Sequence, residues 1–203
     1  MLRSTYLAAD CVRIACNGRI YRCAVALLFL ALLFAAVRPS WGQQPTATAD
    51  EYTIKAAYLY NFIRYIEWPS SAFPNAESPI VIGVVGPVPS DLDRSLSYYE
   101  KSKKVRGRTI QIRRFRTADD IGNCHLLFLT KSIESNVLKD VVEKSNENPI
   151  LLVGETSDFL ERGGAINFVM ASNKVRFQLD VKETQSKGLK PSAKLLQVAY
   201  VSN

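Results

Sequence analysis

Few side chains in this 203-residue chain have the type and spacing to do chemistry. A single histidine, His125, follows Cys124 and heads the apolar run Leu126-Leu127-Phe128-Leu129. A Ser-His-Asp or Cys-His apparatus would have to use this histidine, yet nothing near it has the form of a nucleophile elbow. Adjacent strand residues point to opposite faces, so Cys124 and His125 do not make a pair. His125 therefore reads as a structural histidine, and Cys124 as a buried, inert thiol. Glu155, Asp158 and Glu161 could offer oxygen ligands, but their spacing matches no calcium loop. Gly83-Val84-Val85-Gly86 follows a strand without the spacing of a dinucleotide fingerprint or the lysine of a P-loop. Asp119-Asp120 suits a helix cap better than a general acid and base. No catalytic, metal-binding or cofactor-binding residue is expected, and the chain does not read as an enzyme.

One electrostatic feature stands out. Lys101, Lys103, Lys104, Arg106, Arg108, Arg113, Arg114 and Arg116 place eight positive charges in 16 residues, with no acid among them. Two readings stay open: a solvated loop and strand edge that resists aggregation, or a patch facing an anionic membrane surface or an acidic partner.

The elements that must position these residues follow from hydrophobic spacing. Ile54, Tyr58, Phe62, Tyr65 and Ile66 recur at helical intervals, predicting a helix over 51–68 with Asp50 as its cap and Pro69 as its stop. Its aromatics (Tyr52, Tyr58, Tyr60, Phe62, Tyr65, Trp68) go most of the way round, so some rings are expected to face a partner or a pocket. Continuous apolar runs at Ile80–Val85, Leu126–Leu129 and Ile150–Val153 are the pattern of strands buried on both faces. Thr109–Phe115 alternates like a strand. Helices are predicted from Ser90 or Asp91 to Tyr99, over 132–145, and over 193–201 with Leu195, Leu196 and Ala199 inward. Two strands at 165–170 and 174–180, joined through Ser172-Asn173, read as a hairpin. The fold class is α/β: a three-layer sandwich with a mainly parallel sheet and an antiparallel C-terminal hairpin.

The first part of the chain reads as an export signal. Ala24 to Val37 is a 14-residue apolar run behind Arg13, Arg19 and Arg22, shorter than the roughly 20 residues a membrane-spanning helix needs. Residues 1–42 are expected to be cleaved, with Ala47-Thr48-Ala49 as a later candidate; 43–50 is a flexible lead-in, and 51–203 one domain. Without five basic residues (Arg3, Arg13, Arg19, Arg22, Arg38) and Asp10, the 26 basic and 19 acidic residues become 21 and 18, a net charge of +3 rather than +7. That near-neutral balance and the exported address argue against nucleic acid. Cys11, Cys16 and Cys23 leave with the signal, so Cys124 has no disulfide partner within the chain.

Taken in order, Glu51-Tyr-Thr-Ile-Lys55-Ala56-Ala57-Tyr-Leu-Tyr60-Asn61-Phe62, Glu67-Trp68-Pro69, Ile82–Gly86, Gly107-Arg108, Cys124–Phe128, Gly163–Phe168, Val175–Asp180 and Lys194–Ala199 resemble the YfiR-like family of periplasmic regulatory proteins. The resemblance implies a compact α/β domain, periplasmic and homodimeric. It also implies a partner: the periplasmic part of a membrane diguanylate cyclase, held inactive so that cyclic-di-GMP and biofilm formation stay low. The paired cysteines of some relatives are not matched here. Candidate motif or interface residues are Lys55, Tyr58, Asn61, Phe62, Trp68, Pro69, Arg176 and Phe177. The candidate basic patch is Lys103, Lys104, Arg106, Arg108, Arg113 and Arg114. The alternative is a periplasmic small-ligand-binding or sensor protein with another membrane partner, its pocket near Gly86 and Gly154 at the strand ends.

Overall fold

The computed structural model describes residues 47–200, apart from residues 122 and 147. The expected signal over 1–42 lies outside these residues, as does the first half of the lead-in; residues 47–50 are helical.

A seven-stranded sheet forms the middle layer, in the order β3-β4-β2-β5-β6-β7-β8. Its strands are β2 (Ile80–Val85), β3 (Lys104–Val105), β4 (Arg108–Phe115), β5 (Leu126–Leu129), β6 (Leu151–Gly154), β7 (Ile166–Ala171) and β8 (Lys174–Leu179). The run β4-β2-β5-β6-β7 is parallel, and β3 and β8 close the two edges antiparallel. The apolar runs are continuous because alternate side chains serve two cores. Ile80, Ile82, Val84, Leu126, Phe128, Leu151 and Val153 face a layer built from α1 (Ala47–Tyr65), α2 (Ser90–Ser102) and the C-terminal segments. Val81, Val85, Leu127, Leu129 and Leu152 face α3 (Ser135–Ser145) and Phe159. This is the expected three-layer α/β architecture.

The differences are at element ends. The first helix starts at Ala47, so Asp50 lies inside it and does not cap it. It stops at Tyr65, where the Tyr65 carbonyl accepts from Ser192 N–H at 2.9 Å. Ile66–Glu67 (β1) then pairs antiparallel with Lys190–Pro191 (β9) in a small second sheet. Pro69 disfavours helix at Trp68, which leaves those residues free to bridge. The second helix has Pro89 at its cap position and no side-chain cap. A short helix, α4 (Val181–Ser186), went unpredicted although Asp180 and Glu183 have capping-box spacing; the Asp180 side chain accepts from Glu183 N–H at 2.9 Å. The last helix, α5 (Ala193–Val198), ends early because Tyr200 N–H turns to the Phe177 carbonyl at 2.7 Å. Leu195 is buried, but Leu196 is 42% exposed, contrary to expectation. The hairpin turn is as read: Ser172 and Asn173 both have positive φ (50° and 58°), the geometry that matches strand twist in a two-residue loop.

Candidate functional site

The most concentrated polar chemistry is buried where α1 crosses the carboxyl ends of β5 and β6. Glu51 and Lys55 share one helix face by their four-residue spacing. Glu155, one residue past β6, meets them from the sheet. Lys55 Nζ pairs with both carboxylates, and the Lys55 and Glu155 side chains are only 5% and 2% exposed. Tyr52 O–H donates to Glu155 Oε1 at 3.2 Å, and Lys131 N–H donates to the same oxygen at 2.8 Å. The Lys55 ammonium also lies 4.7 Å from the Tyr52 ring centroid and 5.8 Å from that of Phe168. Burial, reinforced by Glu155, pushes the Tyr52 phenol well above its ordinary range, so it stays a donor. A buried ion pair is tolerable only when its remaining lone pairs are met, and here they are. The centre clamps α1 to the sheet, with its donors and acceptors committed to one another.

A second polar group sits at the opposite end of the strands. His125, 3% exposed, accepts Val81 N–H on Nδ1 at 3.0 Å, which fixes the neutral ring with its proton on Nε2. Phe73 stacks on the imidazole (4.4 Å, 25°), and the Arg108 guanidinium covers the far face of Phe73 at 3.9 Å. Trp68 Nε1 donates to the His125 carbonyl at 3.2 Å. Burial pulls the His125 pKa down to about 4; the Ala72 carbonyl opposes this and Arg108 reinforces it. Cys124 is buried on the other face, its thiol pushed up to about 12 by burial against the weaker pull of Arg113. Among the described residues, no group of three or more His, Cys, Asp or Glu could hold a metal ion. Glu155 is taken by Lys55, and Asp158 faces Arg162 at 3.5 Å.

The motif residues separate by depth. Lys55, Phe62, Trp68 and Phe177 are buried, so they hold the fold and do not present a surface. Tyr58 is half-buried among Phe62, Phe168 and Phe177, at centroid distances of 6.0, 5.9 and 5.4 Å. Asn61 accepts from Arg64 at 3.3 Å, Pro69 begins the turn to Ala72, and Arg176 is exposed on β8. The surplus rings of α1 are thus largely met within the chain: Tyr60 stacks on Tyr99 of α2 at 4.6 Å and 3°. The sequence reading missed Glu51, Tyr52 and Glu155 as partners of Lys55.

The basic stretch also divides. Arg108 turns inward, donating to the carbonyls of Asn75 (3.0 Å) and Ser78 (2.7 Å), so it leaves the patch. Arg114 pairs with Asp93, and Arg106 meets Glu67 at 3.4 Å. Lys101, Lys103, Lys104, Arg113 and Arg116 are exposed. At the strand ends two glycines are closely packed: a Cβ on Gly154 would lie 2.5 Å from the Phe159 ring, and one on Gly86 2.5 Å from Thr130 Oγ1.

The profile of YfiR/HmsC-like proteins matches residues 52–200, nearly the whole described domain. The chain belongs to the YfiR/HmsC-like family. No curated protein matches it. Among solved structures it is similar to a crystal structure of a conserved domain protein from Vibrio cholerae O1 biovar El Tor, at 10% identity and a TM-score of 0.46. That match covers 71% of this chain and 58% of the other. No helix among the described residues is long and apolar enough to cross a membrane.

Proposed function

We propose that this YfiR/HmsC-like protein binds the periplasmic part of a membrane diguanylate cyclase and holds the enzyme inactive, lowering cyclic-di-GMP. The observation that carries this reading is the family match, which runs through the domain from Tyr52 to Tyr200. The site chemistry supports action by contact: the buried Lys55 centre is committed to internal partners, and His125 Nδ1 is occupied by Val81 N–H. The homodimer belongs to the same reading, and exposed Met170, Leu196, Val198 and Tyr200 offer apolar surface for an interface. Affinity capture from solubilised membranes tests the proposal. A membrane protein with a cyclase domain should be retained at near-equal amounts, and repeated capture without one would count against it.

A further inference from the structure

The end of α2, β3 and the turn into β4 bring Lys101, Lys103, Lys104 and Arg106 together within six residues, all exposed. Arg106 and Gly107 reverse the chain with positive φ (49° and 82°), so this corner is a short hairpin at the sheet edge. The acids nearby are engaged elsewhere. Asp93 holds Arg114, and Glu100 accepts Ile112 N–H at 2.8 Å, closing the open edge of β4. Glu67 meets Arg106 at 3.4 Å. No ion pair engages Lys101, Lys103 or Lys104 among the described residues.

An aromatic ring stands among these charges. Tyr98 is 57% exposed, and Lys103 Nζ lies 6.0 Å from its centroid. It rests edge-on against Tyr99 (5.6 Å, 64°), which is itself stacked on Tyr60. The ring is therefore held outward from a rigid base. Flexible lysines around a projecting tyrosine fit a diffuse anionic layer better than a fixed carboxylate, which favours the planar fork of arginine. Tyrosine rings settle at the headgroup level of bilayers, where lysine ammonium groups meet lipid phosphates.

We propose that this corner docks on an anionic phospholipid surface, with Tyr98 at headgroup depth and Lys101, Lys103, Lys104 and Arg106 around it. Such contact would orient the domain beside a membrane partner, and to that extent it rests on the proposed function. The assay contains no cyclase, so the two can fail separately.

Arg113, which donates to Gln111 Oε1 at 3.2 Å, and Arg116 supply the control. Arg113 lies five residues beyond Arg108, about 16 Å along β4 at strand rise, and it acts on Cys124 on the other face of the sheet. K101E/K104E and R113E/R116E each lower the net charge by the same amount. Flotation with vesicles of phosphatidylglycerol and phosphatidylethanolamine is compared with phosphatidylcholine vesicles. All variants are expressed from the full gene and purified after export, so each carries the same processed N-terminus as the parent. Urea midpoints confirm that each variant folds. The parent should prefer anionic vesicles; K101E/K104E should lose at least roughly tenfold in partition, at about 1 kcal/mol per basic residue near an anionic surface. R113E/R116E should change less than about threefold, and Y98S should weaken binding with its salt dependence retained. Equal losses in the two double variants, or no preference for anionic lipid, overturn the proposal. So does a K101E/K104E variant that still floats but no longer captures the membrane partner, which would make the corner a protein-docking surface.

Discussion

Acidification should destabilise the fold through His125, by an amount set by the surroundings of the ring. Folding lowers the His125 pKa from 6.5 to about 4, so between these values the unfolded chain binds the extra proton and the folded chain does not. The stabilisation is complete above pH 6.5, is lost as pH falls toward 4, and then levels off. A shift of this size corresponds to about 3 kcal/mol, with a slope of about 1.4 kcal/mol per pH unit inside the window. Protonating Nδ1 would set two donors, the ring N–H and Val81 N–H, against each other, with Arg108 beyond Phe73. The assay is urea unfolding at several pH values between 7.5 and 4, for the parent and His125→Asn. The asparagine Oδ1 can accept Val81 N–H without titrating. Its loss of ring contacts should cost about 1–3 kcal/mol at pH 7.5, after which the two curves should converge as pH falls. Parallel curves would refute the argument, because every other titrating group is common to both proteins.

Four further outcomes follow from the fold. Lys55→Met should destabilise the domain by about 3 kcal/mol, since it strands the buried Glu155 carboxylate without its cation; a loss under about 1 kcal/mol in urea unfolding would mean the centre relaxes or hydrates. Gly154→Ala should cost about 1–3 kcal/mol by driving a methyl into Phe159. Gly107→Ala, with nothing within 4 Å but φ at +82°, should cost about 1 kcal/mol through the backbone alone. Cys124 should resist thiol reagents in the native protein at pH 8 and react on unfolding, because burial holds its thiol near 12; rapid native labelling would show that its cover opens readily.

What the sequence reveals depends on how local the physics is. Ile80–Val85 and Leu126–Leu129 are legible because strands buried on both faces have no polar alternation. Ser172-Asn173 is legible because few residue pairs accept two positive φ values. The Lys55–Glu155 contact is not, because its partners lie 100 residues apart and Glu155 resembles any acid in a loop after a strand. The rings of α1 suggest an interface only while the helix is imagined as one-sided. In the fold it is enclosed by the sheet, by Tyr99 of α2 and by Leu195 of α5, so most of those rings are met internally. Arg108 illustrates the same limit: a charge run reads as surface, yet one member reaches inward to cover Phe73 and hold the carbonyls of Asn75 and Ser78.

The most direct test of the regulatory reading is the cellular cyclic-di-GMP level in a strain lacking this gene, measured beside the parent and a complemented strain. Inhibition of a membrane diguanylate cyclase by this protein predicts a rise on deletion and a return to the parental level on complementation. A level unchanged by deletion, under conditions where the protein is made and exported, would contradict it.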